Sequence, residues 1–168
     1  MDEVSFEVGE NEILAIIGQS GAGKTTLFKL LAMQEERTAG SIKMFGQEFS
    51  EVKDPQEMLR EGQIGLVFQE DVLWHDLTVD QNLELMAKVR GLKPKDPVVQ
   101  NRLGFLKKLM RLEEYAKMKV RHLSGGSKRK LCCIMALVTT PRLLLMDEAS
   151  NGVDPMARKN LYTYLRTL

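Results

Sequence analysis

The sequence predicts an α/β fold in which a mostly parallel sheet is interrupted by a helical insertion. Three observations predict it. A glycine-rich segment, Gly18-Gln19-Ser20-Gly21-Ala22-Gly23-Lys24-Thr25-Thr26, lies between an apolar run and a stretch of good helix formers. Two further apolar runs, at residues 64–68 and 143–146, are short and continuous, as strands buried in a parallel sheet are. Between these two runs, residues 73–138 read mostly as helix.

Each element has its own signal. Residues 4–8 alternate in the manner of a half-buried strand, and Gly9-Glu10-Asn11 turns them into the run Ile13-Leu14-Ala15-Ile16-Ile17, a predicted buried strand. The helix after the glycine-rich loop begins with Leu27-Phe28-Lys29-Leu30-Leu31. Residues 41–45 alternate again and stop at Gly46. Asp54-Pro55-Gln56-Glu57 has the form of a helix start, with N-cap, N1 proline and N3 glutamate. The strand at residues 64–68 ends at Gln69. Thr78-Val79-Asp80-Gln81 reads as a capping box, and its helix should stop at Gly91, with Pro94 beyond. Val99, Leu103, Leu106 and Met110 form an apolar stripe at helical spacing, read as packing. Residues 131–138 are apolar all round and predict a buried helix. Leu143-Leu144-Leu145-Met146 predicts a strand buried on both faces, and a last helix begins near Pro155 and is still running at Leu168.

The loop at residues 18–26 matches G-x-x-x-x-G-K-[ST], and strand, loop and helix follow one another as phosphate binding requires. Its glycines let successive N–H groups point into one concavity, and the following helix brings unpaired N–H groups and a positive dipole end to the same spot. Lys24 is placed to reach β- and γ-phosphates, and the Thr25 hydroxyl to ligate Mg²⁺. The predicted fold is therefore a P-loop NTPase core. Asp147 and Glu148 follow directly on an apolar strand, and the carboxyl ends of such strands face the ligand crevice. Asp147 can help hold Mg²⁺, and Glu148 can polarise a water for in-line attack. Ser124-Gly125-Gly126 also opens a helix; spacing alone leaves open an anion site or an ordinary turn with a serine cap.

Composition excludes several classes. A net charge of +1 gives no reason to expect nucleic acid or an anionic membrane surface as partner. No apolar run approaches the roughly 20 residues that span a bilayer, and the first residues lack the pattern of a signal peptide. Cys132 and Cys133 are adjacent in an apolar helical run and read as reduced core residues.

The ordered set GQSGAGKTT, VFQED, LSGGSKRKL, LLLMDEAS and NGVDP resembles the nucleotide-binding domain of ATP-binding cassette (ABC) transporters. LSGG-x-KRKL and VLW-x-x-LTV-x-x-N-L look most like subfamily A, whose members are mainly lipid transporters. The resemblance implies one ATP-binding domain, with a core at residues 1–71 and 139–168 and a helical subdomain at 72–138. It implies that Gly18, Gln19, Ser20, Gly21, Ala22, Gly23, Lys24, Thr25 and Thr26 hold ATP. It makes Glu148 the catalytic glutamate and Gln69 a Mg²⁺ and water contact, with Thr25 and Asp147 on the metal. Ser124, Gly125 and Gly126 become the signature motif that meets the γ-phosphate on a partner domain, and Asn151 to Asp154 the loop crossing that interface. The implied partners are a second such domain, head to tail, and a transmembrane domain, at the cytoplasmic face of a membrane. A non-hydrolysing ATP-binding module and a soluble ABC ATPase without a membrane partner are the competing readings.

Departures from the family pattern are Ser127 in place of glutamine and Ala149 in place of proline. In the family an adenine-stacking aromatic residue lies upstream of the first strand pair and a switch histidine follows the last helix; no matching residue stands at either place here. His75 and His122 lie elsewhere and read as non-catalytic. An incomplete domain, truncated at both ends, is expected on that ground.

Overall fold

The computed structural model describes residues 4–49 and 56–168. The predicted helix start at Asp54 and Pro55 lies outside the described residues. The elements in chain order are α1 (Lys24–Leu31), β1 (Lys43–Met44), β2 (Gln47–Glu48), α2 (Gln56–Arg60), β3 (Ile64–Val67), α3 (Val79–Val89), α4 (Pro97–Leu109), α5 (Gly125–Leu137), β4 (Leu143–Met146) and α6 (Pro155–Leu165). Two 3₁₀ turns, Glu113–Tyr115 and Val120–His122, link α4 to α5.

The two continuous apolar runs pair as parallel neighbours, Ile64 opposite Leu143 through Val67 opposite Met146. Asp147 N–H extends the ladder to the Val67 carbonyl at 2.8 Å. β4 is half-buried rather than closed on both faces, because β3 is its sole hydrogen-bonded neighbour among the described residues. Helix α5 lies across β3 and is buried nearly all round, as its apolar run predicts. Val67, Leu83, Leu106, Leu131, Ile134 and Leu161 are each at most 1% exposed, so strand and helices share one core. A smaller cluster gathers Met44, Met58 and Ile64 with Leu31, Leu66 and Leu143.

Local chemistry explains the helix ends. At α3 the Thr78 hydroxyl accepts from Gln81 N–H (3.2 Å) while Thr78 N–H donates to the Gln81 side chain (2.9 Å), a complete capping box. Asp96 caps α4 through Val98 N–H and Asp154 caps α6 through Ala157 N–H, each with proline next in the chain. Helix α6 stops at Leu165, short of Leu168. In the last turn the Thr167 hydroxyl and N–H both donate to the Tyr164 carbonyl, at 2.7 and 2.9 Å.

The largest difference from expectation is at the N-terminal side. Residues 4–8 and 13–17 form no strand, and neither segment pairs with a strand among the described residues. Ile13 is 62% exposed and Ile17 92%. An apolar run signals a demand for burial, whereas a strand exists only where a neighbour presents complementary N–H and C=O groups. The predicted turn is present, with Gly9 N–H donating to the Glu12 carboxylate at 2.8 Å. At residues 41–45 the expected single strand is instead half of a hairpin. Phe45 (φ 53°) and Gly46 (φ 83°) supply the two positive φ angles of a type I′ turn between β1 and β2.

Gly65 marks the closest approach in this packing. A Cβ there would collide with the Ala136 carbonyl oxygen of α5 and would stand 2.9 Å from both Leu144 Cδ1 and Pro141 Cγ. Gly65→Ala is therefore expected to destabilise the fold by about 1–3 kcal/mol, read as a lower denaturant midpoint at unchanged slope. An unchanged midpoint would show that α5 does not sit this close to β3.

Candidate functional site

The glycine-rich loop runs from Gly18 into α1, and its conformation follows from its sequence. Gly21 (φ 81°) and Gly23 (φ 93°) occupy the left-handed region, where an L side chain is strained. Gly23 is the N-cap of α1 and carries no side chain to satisfy the first N–H groups of the helix, so these donors stay available to an anion. Lys24 folds back over the loop, its Nζ donating to the carbonyls of Gly18 (2.8 Å) and Gln19 (2.9 Å). The ammonium thus sits against the loop's own rim.

Thr25 and Asp147 are 122 residues apart in sequence and meet here: Thr25 Oγ1 donates to Asp147 Oδ2 at 3.0 Å. Asp147 is 8% exposed at the carboxyl end of β4. A hydroxyl and a carboxylate oxygen in contact beside a phosphate loop are hard donors, the set that Mg²⁺ takes, so these residues fit that ion. Glu148 comes next, with φ 49° in the left-handed region, and its Oε2 accepts from Asn151 Nδ2 at 2.8 Å. Gln69 follows β3, side by side with the end of β4, and its side chain is exposed. Phe28 of α1 meets Phe68 edge to face at 5.6 Å, which ties the phosphate-loop helix to the segment leading into Gln69.

Ser124 is the N-cap of α5, accepting from Ser127 N–H at 3.2 Å and donating to the Ser127 hydroxyl at 3.0 Å. Ser124 and Gly125 are exposed, whereas a Cβ on Gly126 would strike the Gly152 carbonyl oxygen. The segment 124–126 therefore lies against the loop after Glu148. Among the described residues no hydrogen bond or ion pair joins it to residues 18–26.

Two side chains of α5 tie this region together. Lys130, largely buried, donates to Asp154 at 3.2 Å. The Ala157 N–H, and then Lys130, hold the Asp154 carboxyl below its usual range. Arg129 reaches main-chain carbonyls at the ends of β3 and β4. Sequence reading did not single out Arg129. Its one signal was a cation placed where an otherwise apolar helix turns buried.

The cysteines of the same helix are free and buried. Burial pushes Cys132 up to about 12, with Asp71 adding to the effect, and burial does the same for Cys133. Both thiols are therefore held in the protonated form near neutral pH.

The comparisons agree with this geometry. Residues 1–151 match the ABC transporter family. The chain is 36% identical over 163 residues to mouse (Mus musculus) ATP-binding cassette sub-family A member 9, covering 97% of this chain and 9% of that protein. It is 31% identical over 170 residues to the sulfate/thiosulfate import ATP-binding protein CysA of Bacillus cereus, covering all of this chain and 46% of that protein. The chain thus spans less than half the length of either relative. A dimeric ATP-binding cassette in a post-hydrolysis state, bound to ADP and Pi, superposes with a TM-score of 0.82 at 25% identity, over 95% of this chain and 70% of that one. With its phosphate loop, its paired parallel strands and the carboxylates at their ends, this chain belongs to the ABC transporter family as a P-loop ATPase domain.

Proposed function

We propose that this chain binds ATP with Mg²⁺ and hydrolyses it to drive a membrane transporter. The observation that carries the reading is the Thr25–Asp147 contact, which brings a phosphate-loop hydroxyl and a strand-end carboxylate to one point. In this reading Gly18, Gln19, Ser20, Gly21, Ala22, Gly23 and Thr26 line the phosphates with backbone N–H groups. Lys24 leaves its two carbonyls for the β- and γ-phosphates. Thr25, Asp147 and Gln69 hold Mg²⁺, which when bound neutralises charge on the phosphate oxygens. Glu148 takes the proton of the attacking water, and Asn151 orients that carboxylate.

The Ser124-Gly125-Gly126 segment, exposed at Ser124 and Gly125, faces a second copy of the domain, head to tail, and completes that copy's ATP site. Closure and reopening of the pair would move a transmembrane partner at the cytoplasmic face of the membrane. Among the described residues no helix is long and apolar enough to cross a membrane. Within the chain, residues 1–71 and 139–168 form the nucleotide core and residues 72–138 the helical subdomain. The subfamily A resemblance supports a lipid or another hydrophobic molecule as cargo.

Mg²⁺ dependence tests the central contact. Asp147→Asn keeps the shape and removes the charge, so the Mg²⁺ concentration for half-maximal phosphate release should rise at least about ten-fold. Chelation of Mg²⁺ should abolish release in the unmodified protein. An unchanged Mg²⁺ requirement in Asp147→Asn would remove that residue from the metal site.

A further inference from the structure

Helix α5 sends one cation, Arg129, into the junction of the two parallel strands. Its side chain is 5% exposed. One terminal nitrogen, Nη1, donates to the Phe68 carbonyl and, at 3.3 Å, to the Gln69 carbonyl. The other, Nη2, donates to the Asp147 carbonyl. Asp71, partly exposed, lies 3.6 Å from Nη1, and Nε has no acceptor among the described residues.

Burying a guanidinium costs stability unless it is well partnered, and an apolar side chain of similar volume often does as well or better. Burial energy alone therefore does not account for this cation. Its partners suggest another account. The Asp147 carbonyl belongs to the peptide that leads into Glu148, whose φ of 49° already departs from ordinary backbone. The Phe68 and Gln69 carbonyls flank the origin of the Gln69 side chain. One planar fork thus holds three peptide carbonyls on adjacent strand ends, and it does so from the helix that begins at Ser124-Gly125-Gly126.

We infer that Arg129 is a positioning residue for hydrolysis. It holds the Asp147–Glu148 peptide and the start of the Gln69 loop in register, and it makes that register depend on the seating of α5. The inference rests on the roles proposed above for Glu148 and Gln69. It implies a split between chemistry and binding, because the carbonyls Arg129 holds set the direction of the attacking-water side, while the phosphate loop is held by α1.

Arg129→Met and Arg129→Lys in the whole protein test this, with kcat, KM, the Kd for Mg-ATP and the thermal midpoint measured together. Arg129→Met is expected to lower kcat by about 10–100-fold while the Kd for Mg-ATP stays within about three-fold. Arg129→Lys, a point charge with three donors but no planar fork, should recover part of kcat. Should Arg129→Met fail to fold, the lysine variant decides: reduced kcat at unchanged Kd supports the inference, and unchanged kcat overturns it. Loss of kcat and affinity in step with the folded fraction also overturns it, since that is the signature of a structural role alone. Hydrolysis by the unmodified protein with full kcat in both variants sinks this inference and leaves the proposed function standing. No hydrolysis by the unmodified protein counts against both.

Discussion

Glu148→Gln is expected to lower phosphate release by about 10²–10⁴-fold while leaving the affinity for Mg-ATP almost unchanged. The substitution is nearly isosteric. The glutamine carbonyl oxygen can still accept the hydrogen bond that Asn151 Nδ2 now donates to Glu148 Oε2 at 2.8 Å, so the local geometry survives. What is lost is the ability to take a proton from water. ATP should then bind and persist, and a single-turnover experiment would show a stable nucleotide complex with little product. Phosphate release at the unmodified rate would remove Glu148 as the base and leave the attacking water without an assigned acceptor.

Lys24→Ala is expected to act on the other half of the process, by weakening Mg-ATP binding roughly 100-fold or more. A hydrogen bond to a charged group contributes about 1.5–3 kcal/mol, and the ammonium can make two of them to phosphate oxygens. In the ligand-free chain these donors are engaged by the Gly18 and Gln19 carbonyls at 2.8 and 2.9 Å, so binding exchanges partners rather than adding them. Because those carbonyls face solvent, their loss of the lysine should leave folding stability within about 1 kcal/mol of the unmodified protein. A calorimetric titration beside a denaturation curve separates the two effects. Full affinity in the variant would mean that the loop does not grip phosphate through this side chain.

Much of the site is legible in the sequence because its chemistry is local. A glycine loop running into a helix, a carboxylate pair after an apolar strand and a capping box at Thr78 each need only a few neighbouring residues. The structure brings Thr25 to Asp147 because helix α1 packs against β4. Strand pairing is less legible. Residues 13–17 carry the side-chain pattern of a buried strand but pair with no strand among the described residues, and side-chain pattern cannot report backbone partners. Arg129 was hidden for a related reason: its partners are main-chain carbonyls, which every residue owns and no motif encodes.

Asn82 has a consequence of a mechanical kind. It is fully buried, and its amide holds the loop before α3 at three points. Its Oδ1 accepts from Trp74 N–H (2.9 Å), and its Nδ2 donates to the carbonyls of Trp74 (3.0 Å) and Thr78 (2.9 Å). This gives a structural reason for the asparagine in the VLW-x-x-LTV-x-x-N-L pattern. Residues 74–78 are thereby riveted to α3 as a stiff strut rather than left as a compliant loop. Val72 and Trp74 beside it are exposed. A push on that surface would carry through to α3 as rigid displacement with little lost to bending, as in a lever with a fixed pivot.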